Sequence, residues 1–222
     1  MDASNIFTSL IADYQKGGPF MHLIAVTFGF AIAFIIERML RLYATYYVDG
    51  PSFMFEVQKH ILANDLDGAI RLCNGANKAA LPKVIKAGLQ RASRDDQQIQ
   101  NAIDAASLEV VPKLEKRLNY LALIANIATL LGLLGTITGL IHSFAAIAQA
   151  DPGQRQALLS NGIAEAMNCT AFGLIVAIST MIMHSVLSTR ATRIVEDIDE
   201  FGVKLLDLLS ARKYRHSSEK AV

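Results

Sequence analysis

Residues 118–150 read LNYLALIANIATLLGLLGTITGLIHSFAAIAQA, 33 residues without an Asp, Glu, Lys or Arg. At about 1.5 Å per residue such a helix extends roughly 50 Å, beyond the ~30 Å hydrocarbon layer of a bilayer. The run therefore predicts a membrane span with one end in the interface or in water. Gly132, Gly135 and Gly139, spaced by three and four, lie near one face with Thr136 beside them. Missing side chains let another helix backbone come close and gain van der Waals contact. The face is either a packing seam alone or part of a polar passage.

Two more apolar runs flank this one. Residues 17–36, GGPFMHLIAVTFGFAIAFII, carry no charge, and residues 156–189 are interrupted only by Glu165. The 222-residue chain is 52% hydrophobic and 18% charged, against roughly 25% charged in soluble domains. Three spans put the termini on opposite sides of the membrane. Of 21 Lys and Arg residues, only Lys16 precedes the first span and only Arg155 lies between the second and third. The positive-inside rule then places the N-terminus and residues 151–158 outside and the middle region and tail in the cytoplasm. Asp2, Asp13 and Lys16 ahead of the first run, with no small-residue cleavage site after it, argue against a cleaved signal peptide.

The expected fold class is an all-α integral membrane protein with three transmembrane helices and long cytoplasmic helical extensions. Residues 1–16 form an outer amphipathic lead-in, with Ile6, Phe7, Leu10 and Ile11 at helical spacing. Transmembrane helix 1 takes 17–42, a cytoplasmic helical region 43–117, and transmembrane helix 2 residues 118–150. A periplasmic loop follows at 151–158, then transmembrane helix 3 at 159–189 and a cytoplasmic C-terminal helix at 190–222. The first span closes on Glu37, Arg38 and Arg41, read as flanking anchors with Glu37 paired to Arg41 at i, i+4.

Within the middle region, Asp49-Gly50-Pro51-Ser52 predicts a turn into a helix over 53–63. Asn64 to Asp67 opens another over 68–73, and a break at 74–80 leads into 81–91. From about Asp95, Ile99, Ile103, Ala106 and Val110 form one stripe, which Leu114, Leu118 and Leu121 carry into the second span. Pro112 is expected to interrupt or kink that helix. In the tail, Ile194, Ile198, Phe201, Leu205 and Leu208 make a stripe suited to packing on the 95–117 helix.

The chain shows no Walker-type or dinucleotide-binding glycine motif, no HExxH and no GxSxG. Without a nucleophile, base and orienter together, no enzyme is expected. Cys73 and Cys169 offer neither metal-ligand spacing nor a disulfide framework, so no metal and no cofactor are expected, nor is a nucleic-acid partner. His22, His142 and His184 have no His or carboxylate three or four residues on, and are read as structural or interfacial. In the third span Ala166, Thr170, Gly173 and Ala177 repeat the three/four spacing and can face the glycine seam. Glu165, costly among apolar residues, either faces a bundle interior or cavity or reaches only the outer interface.

Three stretches, KLEKRLNYLALIANIA (113–128), LGLLGTITG (131–139) and GIAEA (162–166) followed by TAFGL (170–174), resemble the MotA/TolQ/ExbB family of ion-driven motor and channel proteins. The resemblance is strong over 113–190. Three spans with a large loop after the first are closer in plan to TolQ and ExbB than to MotA. The resemblance implies a homo-oligomeric ring, in that family a pentamer, around a dimer of a single-span ExbD/TolR-type partner. The partner's membrane Asp binds and releases the ion. It implies a channel-forming subunit of an inner-membrane motor that couples proton flow to mechanical work across the envelope, energising transport, envelope maintenance or gliding motility.

By the same resemblance Thr136 and Thr170 are pore-facing hydroxyls and Glu165 is the acidic position of the ion pathway. Gly132, Gly135, Gly139, Ala166, Gly173 and Ala177 then serve helix packing or partner contact. The residues read alone agree on one point, since the chain has no carboxylate at mid-membrane depth to titrate. The family usually has Pro where this chain has Thr129 and Ser179; the expected kinks are lost there, and both substitutes are hydroxyl residues able to bend a helix more weakly by back-bonding. The alternative is a structural membrane scaffold that oligomerises through its glycine faces without conducting ions.

Overall fold

A computed structural model of the protein describes residues 18–219, and all regular structure among them is helical. The lead-in read at 1–16 lies outside the described residues. Helix α1 covers Gly18–Leu40 and runs into a π-helical segment, Arg41–Thr45. Four shorter helices follow, α2 at Gly50–Leu62, α3 at Leu66–Gly75, α4 at Ala80–Leu89 and α5 at Asp96–Glu115. Then come α6 at Leu118–Gln149 and α7 at Arg155–Glu219. Three helical stretches are long and apolar enough to cross a membrane by length and composition, with mean hydropathies of 2.1, 2.0 and 1.8.

The chain forms two compact units. Among the described residues, the first takes in 18–36 and Arg117–Ser185, the second Glu37–Lys116 and 186–219. In the first unit α1, α6 and the front of α7 bury mostly small side chains. Ile24, Ala125, Ala128, Cys169, Val176 and Ala177 form the core, with Phe20, Phe28 and Leu131 packed against it. Phe34 and Tyr120 stack at 6.1 Å between ring centroids. Larger apolar side chains such as Phe30, Leu130, Ile141, Phe144, Ile178 and Ile182 point outward and are exposed. That inversion suits a helix surface meeting lipid or another subunit, where apolar area gains nothing by turning inward.

The second unit is built with large side chains. Phe53, Val57, Ile61, Ile85, Ile99, Leu114, Ile198, Phe201 and Leu205 are all buried. The helix starts are chemically specified. Asp65 accepts from Gly68 N at 2.8 Å and caps α3, and Asp95 accepts from Gln98 N at 3.2 Å and caps α5. The helix containing Pro112 does not stop there. It runs on to Glu115, and the break falls at Lys116 and Arg117, where Arg117 has a left-handed φ of 67°. The far end of α7 is stapled down: Lys213 Nζ reaches Asp96 at 2.7 Å, Ser210 donates to Asp96 at 2.8 Å, and Arg212 Nε donates to Asn64 at 2.9 Å.

The charges at the end of α1 divide their work. Glu37 and Arg41 pair at 3.0 Å on one helix face, as their i, i+4 spacing requires. Arg38, roughly 100° further round, is not an exposed flank. It is fully buried, and its Nη1 donates to the Lys113 carbonyl at 3.3 Å, in the last turn of α5 where carbonyls lack helical partners. The Arg190 guanidinium lies over the rings of Tyr43 and Tyr47, at 5.1 and 4.1 Å. Cation–π contacts of this kind contribute about 0.5–2 kcal/mol. Burial pushes the Cys73 thiol up to about 11, so it stays protonated and unreactive near neutral pH.

Candidate functional site

The three-helix unit holds the polar side chains that an apolar span can least afford. Its centre is the contact between α6 and α7. A Cβ added at Gly173 would stand 2.7 Å from the Ala128 carbonyl oxygen and 3.0 Å from Gly132 Cα. One added at Gly132 would stand 3.2 Å from Thr170 Cα. Backbone touches backbone here, and only glycine permits it. Gly135 abuts the Cys169 side chain, and a Cβ at Gly139 would meet Ala166 Cβ at 3.1 Å. Ala166 and Ala177 are buried. The six small residues read as packing positions therefore lie within this unit, five along the α6–α7 seam and Ala177 in its core.

The close approach brings Thr170 within reach of α6. Its Oγ1 donates to the Gly132 carbonyl at 2.8 Å, across 38 residues of sequence. That carbonyl belongs to a helix interior, so the bond is an extra, shared acceptor contact that clasps the two helices. Thr136 behaves differently, donating to the Leu133 carbonyl of its own helix at 2.6 Å. Each hydroxyl spends its one hydrogen in this way and keeps lone pairs to accept from water or a proton carrier. The two threonines read as a pair are thus an interhelical clasp and an intrahelical back-bond.

Toward the α6–α7 connection a cleft of about 320 Å³ opens. Its walls carry Glu165 with Thr138, His142, Ser143 and Asn161, closed by Pro19 and Phe20 of α1. The lining repeats helically on both sides, at 135, 138, 139, 142, 143 and 146 on α6 and at 158, 161, 162 and 165 on α7. Ser143 donates to the Gly139 carbonyl at 2.7 Å, and Thr138 to that of Leu134 at 2.9 Å. A carboxylate facing a cleft rather than lipid has room for the hydration that lipid would deny it. Of the polar lining, sequence reading singled out Glu165 alone. His142 was tested only against its own helix, whereas the carboxylate sharing its cleft stands on α7. The signal available was the polar stripe 138, 142 on α6 and its counterpart 161, 165 on α7.

Two further hydroxyls stand at the positions where the resemblance led proline to be expected, Thr129 and Ser179. Thr129 donates to the Ala125 carbonyl at 3.1 Å and Ser179 to that of Ile175 at 2.8 Å. Both are back-bonds, the weaker bending device expected at those positions. Thr180 is fully buried and its Oγ1 has no hydrogen-bond partner. Among the described residues no group of His, Cys, Asp and Glu can hold a metal ion.

Residues 76–200 match the family model of the MotA/TolQ/ExbB proton channel family. Among curated relatives, the Tol-Pal system protein TolQ of Haemophilus influenzae is 36% identical over 104 residues, 45% of each chain. A putative biopolymer transport protein ExbB homolog of Methanothermobacter thermautotrophicus is 26% identical over 198 residues, 88% of this chain and 68% of that one. TolQ of Pseudomonas aeruginosa is 29% identical over 128 residues, 53% of this chain and 55% of its own. The match thus spans less than half the length of the Haemophilus protein and about two thirds of the archaeal one.

Proposed function

This chain belongs to the MotA/TolQ/ExbB proton channel family, and from that premise we propose that it is the channel-forming subunit of an inner-membrane motor. In this reading it couples the proton motive force to mechanical work across the envelope and is not an enzyme. Copies form a ring, a pentamer as in the family, around a dimer of an ExbD/TolR-type single-span protein that brings the titrating Asp. The N-terminus lies in the periplasm, and the second unit, with the end of α7, lies in the cytoplasm. The positive-inside distribution of Lys and Arg supports this orientation.

The observation that carries the reading is the polar lining inside an apolar three-helix unit. Glu165, His142, Asn161 and Thr138 share one cleft, and Thr170 lies outside it on the neighbouring α7 face, bonded to the Gly132 carbonyl. Glu165 attracts the cation from the periplasmic side, and the hydroxyls of Thr170 and Thr136 solvate it near the partner's Asp. Protonation neutralises that Asp and frees its helix to move, and deprotonation toward the cytoplasm resets it. One charge crossing 100 mV releases about 2.3 kcal/mol, so a few protons suffice for a mechanical step.

A scaffold that oligomerises through its glycine faces is less well supported, because those faces are occupied by α6–α7 packing within one chain. Ring contacts then fall to the exposed apolar side chains. The test is proton flux into liposomes holding the chain and its partner. Thr170→Val and Thr136→Val are each expected to lower flux at least about tenfold, the scale of one strong hydrogen bond, with ring size unchanged. Normal flux in both variants would defeat the proposal. Thr170→Val is expected to do more, since it also removes the clasp to Gly132.

A further inference from the structure

The first turn of α1 meets Glu165. Gly18 has a φ of +69°, and a Cβ built on it would fall on Glu165 Oε1, with Cδ 3.2 Å and Cγ 3.6 Å away. The carboxylate thus occupies the volume that any other residue at 18 would fill. The contact lies beside Pro19 and Phe20, which line the same cleft as Glu165. The opening turn of a helix exposes N–H groups and carries the positive end of its dipole. Helix α1 has no acidic residue of its own in that turn. Glu165 brings the negative charge there from α7.

We propose that Gly18 is a positioning residue for Glu165: its missing side chain is the seat that holds the carboxylate in the wall of the cleft, against the start of α1. Two features tie the glycine to this placement of the carboxylate. The backbone conformation is left-handed, which L side chains rarely adopt, and the space is already taken. The first can be met by Asn, which tolerates that conformation, and the second only by moving the carboxylate. The role of the seat in conduction rests on the reading of Glu165 as an ion-pathway group, whereas the seat itself does not.

The experiment compares wild type, Gly18→Ala, Gly18→Asn and Gly18→Asn combined with Glu165→Asp, in liposomes with the partner. Carbodiimide modification of Glu165, followed by peptide mass spectrometry, reports the seat without reference to conduction. Both single variants at 18 are expected to change the Glu165 modification rate at least about threefold and to lower proton flux about tenfold, as coupled neighbours do. Shortening the carboxylate frees the occupied volume, so the double variant should recover to within about threefold of Glu165→Asp alone. An unchanged modification rate in Gly18→Asn overturns the seat, as does a double variant no better than Gly18→Asn. A changed modification rate with normal flux keeps the seat and refutes the ion-pathway role of Glu165.

Discussion

The two units of this chain are built on opposite packing rules. In the second, large side chains such as Ile198, Phe201 and Leu205 face inward, and Asp65 and Asp95 cap the helices. In the first, mostly small residues face inward beside a few larger ones such as Met21, Ile24 and Leu121, while many leucines, isoleucines and phenylalanines face out. The difference follows from the solvent. Water rewards every apolar atom removed from it, at about 25 cal/mol per Å², whereas lipid tails offer no such gradient and leave close backbone contact to hold helices together.

The contrast breaks most easily where a large buried side chain is cut down. Leu205→Ala, in the second unit, should cost about 2–5 kcal/mol through lost burial and a cavity, read as the loss of a cooperative unfolding transition at lower denaturant. Gly173→Ala adds a methyl rather than removing several, and should cost about 1–3 kcal/mol because its Cβ meets the Ala128 carbonyl at 2.7 Å. The same substitution at Gly29, where nothing lies within 4 Å, should be neutral or stabilising. Thermal stability of the detergent-solubilised protein checks both, and equal effects at 29 and 173 would dissolve the distinction.

The smallest effect concerns the staple at the end of α7. Lys213 and Ser210 hydrogen-bond Asp96 and hold its carboxyl below the usual value. A depressed carboxylate contributes stability that is fully present above its unfolded value and is lost as pH falls through the folded one. Acid titration followed by circular dichroism should therefore show helix loosening at low pH, with Asp96→Asn shifting wild-type behaviour at neutral pH slightly toward that state.

Much of the helical plan was legible in the chain itself. The helix starts near Asp49 and Asn64, and the stripe of Ile99, Ile103 and Val110, use only neighbouring residues, and the helices begin there two to three residues earlier than expected, at Gly50 and Leu66. Pro112 was legible as a break or a kink, and it does not interrupt its helix. That helix ends at Glu115, ahead of Arg117, whose left-handed backbone leaves no composition signal. Arg38 read as a flank because flanking arginines are common, yet its acceptor is the Lys113 carbonyl, 75 residues away.

What the order of residues determined was which segments are long and apolar enough to cross a membrane. Runs free of charge, the lopsided placement of Lys and Arg, and small residues at spacings of three and four follow from counting along one helix. Tertiary structure alone decided which polar groups meet. Thr170 donates to Gly132 rather than to its own helix, His142 shares a cleft with Glu165, and Gly18 gives up its side-chain volume to that carboxylate. Each of these joins helices distant in sequence, and their relative rotation, set by how closely glycine lets backbones approach, has no local signature.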